Sequence, residues 1–194
     1  MIDEKFIFLG VFISFIGGVS YLISTIKGET KPNKVTWFLW TVAPFIAFFS
    51  QIKQGVGLSS LLAFMTGFNP LLIFCASFIN KKAYWKISNF DLICGFLSLA
   101  GIALWYITKI GDLAIIFSIF ADALASIPTL IKSYKAPETE NYLIFFLGAI
   151  NAVIVLLTLK VWNISFAAFP IYILLINVAL TALIKFKPRK YLHF

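Results

Sequence analysis

Seven long apolar runs constrain this chain more than any other feature of its sequence. Each run is continuously hydrophobic over about 18 residues or more, close to the length at which an α-helix crosses a bilayer. Of the 194 residues, 61% are hydrophobic and only 12% are charged, too few polar side chains to cover a water-soluble surface. The runs occupy Phe6–Ile26, Val35–Ile52, Val56–Phe78, Phe90–Ile107, Leu113–Ile131, Tyr142–Leu159 and Ile164–Ile184.

The runs predict an all-α polytopic membrane protein with seven transmembrane helices. Strands of a membrane barrel would instead alternate between apolar and polar residues over about ten positions. The first run is expected to remain a helix rather than a cleaved signal peptide, because it exceeds the usual apolar core and follows the acidic residue Asp3. Little chain is left for an aqueous domain, so the function is expected inside the helix bundle.

The basic residues are divided unevenly between the segments that connect the runs. If every run spans the membrane, one side carries twelve Lys and Arg residues and the other side carries four. The positive-inside rule then predicts an integral protein of the inner or plasma membrane, with its N-terminus outside and its C-terminus in the cytoplasm. The formal charge of +8 therefore indicates topology, and nucleic acid is not an expected partner. The larger set is Lys27, Lys31, Lys34, Lys81, Lys82, Lys86, Lys132, Lys135, Lys185, Lys187, Arg189 and Lys190, and the smaller is Lys5, Lys53, Lys109 and Lys160.

The chain also contains a weak internal repeat. A shift of 105 residues brings Lys27 onto Lys132 and Pro32 onto Pro137, and a weaker shift of 100 aligns Pro70 with Pro170. Three-helix units separated by one helix run in the same direction, which is the parallel repeat found in some carriers. We therefore predict a first repeat in residues 1–80, a linker helix 4 in 81–110, a second repeat in 111–185 and a basic cytoplasmic tail in 186–194.

One segment of the second repeat resembles a known motif. Residues 128–140, with the sequence PTLIKSYKAPETE, precede an aromatic helix that carries Gly148 and Asn151. This stretch resembles the PQ-loop motif of the SWEET, SemiSWEET and PQ-loop transporter superfamily. The resemblance implies a seven-helix 3+1+3 fold that moves a small polar solute, such as a sugar, an amino acid or a vitamin-like compound, by alternating access. It also leaves open a non-transporting membrane receptor or assembly factor, since cargo receptors resemble the same fold.

Asp122 is the most informative candidate site residue. A carboxyl inside an apolar run is costly unless it faces a cavity or a partner. Asp122 and Ser126 lie four residues apart on one face of helix 5, together with Ser118 and Thr129. This face is expected to line a transport pathway, where the carboxyl exchanges a proton or pairs with a cationic substrate. Proton coupling is the favoured role, and a purely structural carboxyl is the alternative.

Other polar and aromatic side chains at membrane depth complete the predicted substrate site. Asn69, Asn151, Asn177, Trp40 and Tyr21 are assigned to it together with Asp122 and Ser126. The resemblance supports Asn151 and Asn177, because members of that superfamily often carry asparagines on helices 6 and 7 at the substrate site, whereas Asn69 combines an amide with the predicted hinge at Pro70. Hydrogen bonding between helices is the alternative role for the amides. A neighbouring tryptophan, Trp37, is expected in the interfacial aromatic belt instead.

Four prolines interrupt the predicted helices. A proline inside a helix frees the carbonyl one turn earlier and favours a bend. Pro44, Pro70, Pro128 and Pro170 are therefore predicted hinges for alternating access.

The sequence offers little support for catalysis. The only histidine, His193, lies near the C-terminus, and no nucleophile elbow, P-loop or metal-ligand spacing is present. We expect a protein that is not an enzyme and that needs no cofactor or metal, with a small solute, protons and the lipid bilayer as partners. The oligomeric state is left open.

Overall fold

The computed structural model describes residues 2–3, 5–53, 60–108, 111–160, 162 and 164–188. Within these ranges the chain forms seven α-helices and no strand, which confirms the predicted all-α class. Short 3₁₀ turns at Lys81–Ala83 and Pro137–Thr139 lie in two of the connecting segments. Predictions that involve Lys109, Arg189, Lys190 and His193 fall outside the described residues. The helices are α1 Phe6–Lys27, α2 Lys34–Lys53, α3 Ser60–Ala76, α4 Asn89–Thr108, α5 Gly111–Lys135, α6 Tyr142–Thr158 and α7 Ile164–Phe186.

Local residue chemistry sets several helix ends. Helix α1 stops at Gly28, whose φ of 78° lies in the left-handed region that glycine adopts without strain. Helices α2 and α6 both begin after an asparagine cap. The Asn33 side-chain oxygen accepts the Val35 N–H at 3.1 Å, and the Asn141 oxygen accepts the Leu143 N–H at 2.9 Å. The two caps are 108 positions apart, so they mark equivalent helix starts in the two halves of the chain.

Six helices form a closed circuit of pairwise contacts. Around it, α1 packs against α3, α3 against α2, α2 against α5, α5 against α7, α7 against α6, and α6 against α1. The first helix of each half therefore contacts the second helix of the other half. Helix α4 packs against α5 and α2 and is not part of the circuit. This order places the two halves in matching positions around a common centre.

The register of the repeat differs from the predicted one. Helix α1 has 22 residues and α5 has 25, so the helix starts are 105 positions apart and the helix ends are 108 apart. One of the pairs matched by the shift of 105 consists of two prolines whose surroundings differ. Pro32 directly precedes the Asn33 cap, whereas Pro137 opens a 3₁₀ turn four residues before the Asn141 cap. The offset of 105 therefore relates only the starts of α1 and α5. An offset of 108 relates the ends of these two helices and the starts of α2 and α6.

Three connecting segments gather at one end of the bundle, which we call the basic end: residues 28–33, 77–88 and 136–141. The Lys31 N–H bonds to the Thr139 carbonyl at 2.9 Å, and the Asn80 amide donates to the carbonyl of Ile26 at 2.7 Å. These contacts bring the C-terminal ends of α1 and α5 next to the segment that precedes α4.

Two of the described helices are long and apolar enough to cross a membrane. They are Phe6–Lys27 and Ala167–Phe186, with mean hydropathy of 2.3 and 2.2. Shorter apolar helices occupy Phe64–Ala76, Asn89–Leu104 and Tyr142–Thr158. Length and composition are thus compatible with a membrane location for the two longest apolar helices.

Candidate functional site

The helices surround a central cavity of about 500 Å³. Residues from all seven helices line it, and most of the wall is aliphatic or aromatic. Its volume falls within the range of about 300–1,000 Å³ that is usual for small-molecule sites. The lining residues are Ser14, Trp37, Trp40, Ala43, Pro44, Met65, Thr66, Asn69, Pro70, Ile102, Asp122, Ile144, Phe145, Gly148, Asn151, Phe169, Ile173, Ile176, Asn177 and Leu180.

The two halves contribute equivalent positions to this wall. Many lining residues come in pairs that are 108 positions apart, the offset given by the helix caps. Asparagine occupies both members of only one pair, and the carboxyl of Asp122 stands opposite the hydroxyl of Ser14. The cavity is thus pseudo-symmetric in backbone position and asymmetric in chemistry. The pairs are Ser14 and Asp122, Trp37 and Phe145, Trp40 and Gly148, Ala43 and Asn151, Met65 and Ile173, and Asn69 and Asn177.

Asp122 is held by hydroxyl groups of two helices. Tyr172 Oη of α7 donates to Asp122 Oδ2 at 2.6 Å. Ser126 Oγ donates to the backbone oxygen of Asp122 at 2.8 Å and lies 3.4 Å from Oδ2 and 3.3 Å from Tyr172 Oη. The Trp40 side chain interacts with the same carboxyl. Asp122 therefore lies on the cavity wall in a fixed orientation.

Each of the three cavity asparagines packs against a glycine. Asn69 of α3 lies on Gly18 of α1, and Asn177 of α7 lies on Gly148 of α6. Asn151 of α6 contacts Gly10 of α1 in the same way. A Cβ atom at any of these glycines would overlap the amide, and at Gly148 it would lie 2.8 Å from Asn177 Oδ1. The glycines therefore leave room for the amides between neighbouring helices.

The amides are only partly satisfied by protein groups. Asn69 Nδ2 donates to the Ser14 carbonyl at 2.9 Å, and Asn177 Nδ2 donates to the Ile173 carbonyl of its own helix at 2.9 Å. Within the described part of the chain, the buried oxygens Asn69 Oδ1 and Asn151 Oδ1 have no hydrogen-bond partner. Buried acceptors without a partner are uncommon in folded proteins.

An aromatic plug, composed of Tyr21, Trp37 and Phe145, lies between the cavity and the basic end. The rings of Tyr21 and Trp37 are 4.7 Å apart, and those of Trp37 and Phe145 are 6.4 Å apart. Trp37 is only 1% exposed, so its predicted place in an interfacial belt is wrong. Ile73, Leu180 and Ile184 complete the same buried cluster.

A buried ion pair lies directly behind the plug. Lys132 Nζ donates to Glu140 Oε1 at 2.7 Å, and both side chains are 0% exposed. Tyr21 Oη donates to Glu140 Oε2 at 2.6 Å, and Lys132 also donates to the Lys31 carbonyl. We call Tyr21, Lys31, Lys132 and Glu140 the Glu140 cluster. The prediction that Lys132 lies in a loop is wrong, because α5 extends through Lys135.

Five of the seven predicted substrate-site residues line the central cavity, and two do not. Tyr21 is fully buried in the plug, where its hydroxyl contacts Glu140 rather than the cavity. Ser126 is buried behind Asp122. The side chain of Ser118 lies outside the described residues. The five that line the cavity are Asp122, Asn151, Asn177, Asn69 and Trp40.

All four predicted hinge prolines lie inside helices, but only two of them line the cavity. Pro44 and Pro70 line the cavity, and so do Trp40 and Thr66, the residues four positions before them. Pro128 in α5 and Pro170 in α7 are not among the lining residues. Pro70 directly follows Asn69, whereas Pro170 precedes Asn177 by seven residues, so the offset of 100 does not relate equivalent positions.

Three residues around the cavity and the plug were not predicted as site residues: Tyr172, Lys132 and Glu140. Tyr172 carries a signal that was available: it lies near the middle of an apolar run, away from the interfaces where tyrosines concentrate. The pairing of Lys132 with Glu140 has no comparable signal, because charged residues beyond the end of an apolar run are ordinary.

No family model, curated protein or solved structure matches this chain. Among the described residues, no group of three or more His, Cys, Asp or Glu side chains could hold a metal ion. The site therefore consists of one carboxyl, three carboxamides and several aromatic rings around a solute-sized space. These groups can bind a polar solute through hydrogen bonds and ring contacts.

Proposed function

We propose that this chain is a seven-helix membrane transporter of the PQ-loop and SWEET type that moves a small polar solute by alternating access. The observation that carries the proposal is the central cavity, whose wall is formed by equivalent positions of two three-helix halves. In carriers built from repeats, the substrate site lies between the repeats near mid-membrane.

The outer surface supports a lipid-embedded bundle. In the described part of the chain, large apolar side chains are exposed on α1, α2, α4, α5, α6 and α7, among them Phe12 at 60%, Phe96 at 73% and Leu175 at 64% exposure. An apolar surface of this extent is uncommon on monomeric soluble proteins and typical of membrane or protein interfaces. We therefore propose that the remaining helices span the bilayer together with α1 and α7, with the basic end in the cytoplasm.

The barrier at the basic end supports alternating access. The aromatic plug and the Glu140 cluster join α1, α2, α5 and α6 between the cavity and the basic end. A carrier must close one side of its site while the other is open. We propose that the structure is the state closed at the basic end and that the opposite state requires separation of Tyr21 and Lys132 from Glu140.

Counterflow in liposomes tests the proposal. The full-length chain is purified, reconstituted and loaded in turn with unlabelled sugars, amino acids and nucleosides, and uptake of the matching labelled solute is measured. Transport predicts counterflow of at least one class that falls in the cavity variant Asn177→Ala and persists in the exposed control Asn89→Ala. Binding of a solute without counterflow would instead favour the receptor alternative.

A further inference from the structure

Among the described residues, the wall of the central cavity carries an acidic group and no basic group. Among the described residues that line it, Asp122 is the only one with an ionisable acidic or basic side chain. The buried ammonium of Lys132 is bound to Glu140 on the far side of the aromatic plug. Because an apolar wall screens charge poorly, a single carboxylate strongly disfavours a bound anion and favours a bound cation.

The three cavity carboxamides add uncharged hydrogen-bonding groups to this wall. Asn69 Nδ2 donates to the Ser14 carbonyl at 2.9 Å, and Asn177 Nδ2 donates to the Ile173 carbonyl at 2.9 Å. The amides therefore do not offset the negative charge of Asp122.

Aromatic rings provide the remaining selective feature. Trp40 and Phe169 line the cavity, and Trp40 also interacts with Asp122. Tryptophan faces attract organic cations, particularly where water is excluded. A cavity of about 500 Å³ with such walls suits an organic cation better than a bare metal ion, which would leave most of the space empty.

We infer that the solute of this cavity is an organic monocation with a flat or apolar body. Its positive group pairs with Asp122, and its body lies against Trp40. The inference rests on the proposed transport function, for which it names the substrate class.

Three isosteric probes that differ in charge test the inference: benzamidine, benzamide and benzoate. Thermal unfolding of the full-length chain in a nonionic detergent is measured with each probe at constant ionic strength. We expect benzamidine to raise the Tm by about 2–4 °C at concentrations a few times its Kd, benzamide to raise it less, and benzoate to leave it unchanged. The wild-type order alone tests cation preference, so the test does not depend on a variant that folds.

Two variants locate the preference. In Asp122→Asn, benzamidine is expected to bind roughly tenfold more weakly and to lose its advantage over benzamide. The exposed carboxyl variant Asp3→Asn is the matched control and should keep the wild-type order. Stabilisation by benzoate or by sodium chloride alone that equals stabilisation by benzamidine would overturn the inference. The absence of stabilisation by any probe, or a benzamidine preference that persists in Asp122→Asn, would overturn it as well.

Counterflow separates the failure of this inference from the failure of the proposed function. Counterflow that favours neutral or anionic solutes would uphold transport and overturn the cationic substrate class. Benzamidine binding that depends on Asp122, without counterflow of any solute, would uphold the cation site and overturn transport.

Discussion

Tyr172 Oη donates a 2.6 Å hydrogen bond to Asp122 Oδ2 and thereby joins α7 to α5 at the wall of the central cavity. The equivalent positions of the first half, 108 residues earlier, are Phe64 and Ser14, which cannot form this contact. The bond is therefore specific to one half of a pseudo-symmetric wall, and it fixes the direction in which the Asp122 carboxyl points.

The first prediction concerns this bond. Tyr172→Phe removes the hydroxyl and leaves a buried carboxyl with one donor fewer, so the free energy of unfolding should fall by about 1.5–3 kcal/mol. Thermal unfolding in detergent measures the change. Tyr106→Phe is the matched control, because Tyr106 is 65% exposed on α4, and it should unfold like the wild type. Equal stability of the two variants would show that the bond does not hold α7 to α5.

The polar residues of the cavity were predictable because of their surroundings. In a run that is otherwise apolar, an Asp or Asn is conspicuous, and its cost in lipid implies a cavity or a partner. Asp122, Asn69, Asn151 and Asn177 were identified on that argument and line one cavity. Their role in solute binding stays a prediction.

The partners of these residues were not predictable from local sequence. Glu140 lies 119 positions from Tyr21, and Tyr172 lies 50 positions from Asp122, so no helical spacing connects them. Trp37 was misplaced for a related reason: a tryptophan at a helix start is common at a membrane interface, and only the packing of Tyr21 shows that it is buried. The repeat offset failed because α5 is three residues longer than α1, a difference that the matched residues do not reveal.

The second prediction concerns the buried ion pair at the basic end. Glu140→Gln leaves the Lys132 ammonium buried without its counter-charge, which should lower the free energy of unfolding by about 3–5 kcal/mol. The additional change Lys132→Met removes that uncompensated charge, so the double variant should regain much of the loss. Glu138→Gln, on the exposed face of the same turn, is the control and should be neutral. Additive losses in the double variant would contradict a coupled pair.

The third prediction concerns the amide and glycine pairs. Gly148→Ala places a methyl group 2.8 Å from Asn177 Oδ1, so the amide or helix α6 must move. The overlap should cost about 1–3 kcal/mol of unfolding free energy. Asn177→Ala removes the overlapping amide, and the double variant should therefore be more stable than Gly148→Ala alone. A double variant that is less stable than Gly148→Ala would show that the contact is not the source of the cost.

The fourth prediction concerns orientation in the membrane. In a background from which Cys75 and Cys94 have been removed, single cysteines at Lys31 and Lys135 should react with an impermeant reagent only after the cells are permeabilised. A cysteine at Lys160, on the side with few basic residues, should react in intact cells. The reverse pattern would place the basic end outside and overturn the proposed topology.

The last prediction concerns the driving force, which separates the two roles considered for Asp122. If the carboxylate pairs with an organic cation, each transport cycle carries the charge of the solute, and uptake should follow a membrane potential that is negative inside. If it carries a proton instead, uptake should require an imposed pH gradient, and Asp122→Asn should lose that requirement because an amide cannot release a proton. We expect potential-driven uptake of the solute identified by counterflow, and a loss of uptake at every potential in Asp122→Asn when rates are normalised to folded protein.

The control Asp3→Asn should match the wild type under both gradients. Uptake that responds to the pH gradient in the wild type and not in Asp122→Asn would assign proton coupling to this residue and contradict its role as the counter-ion of the solute.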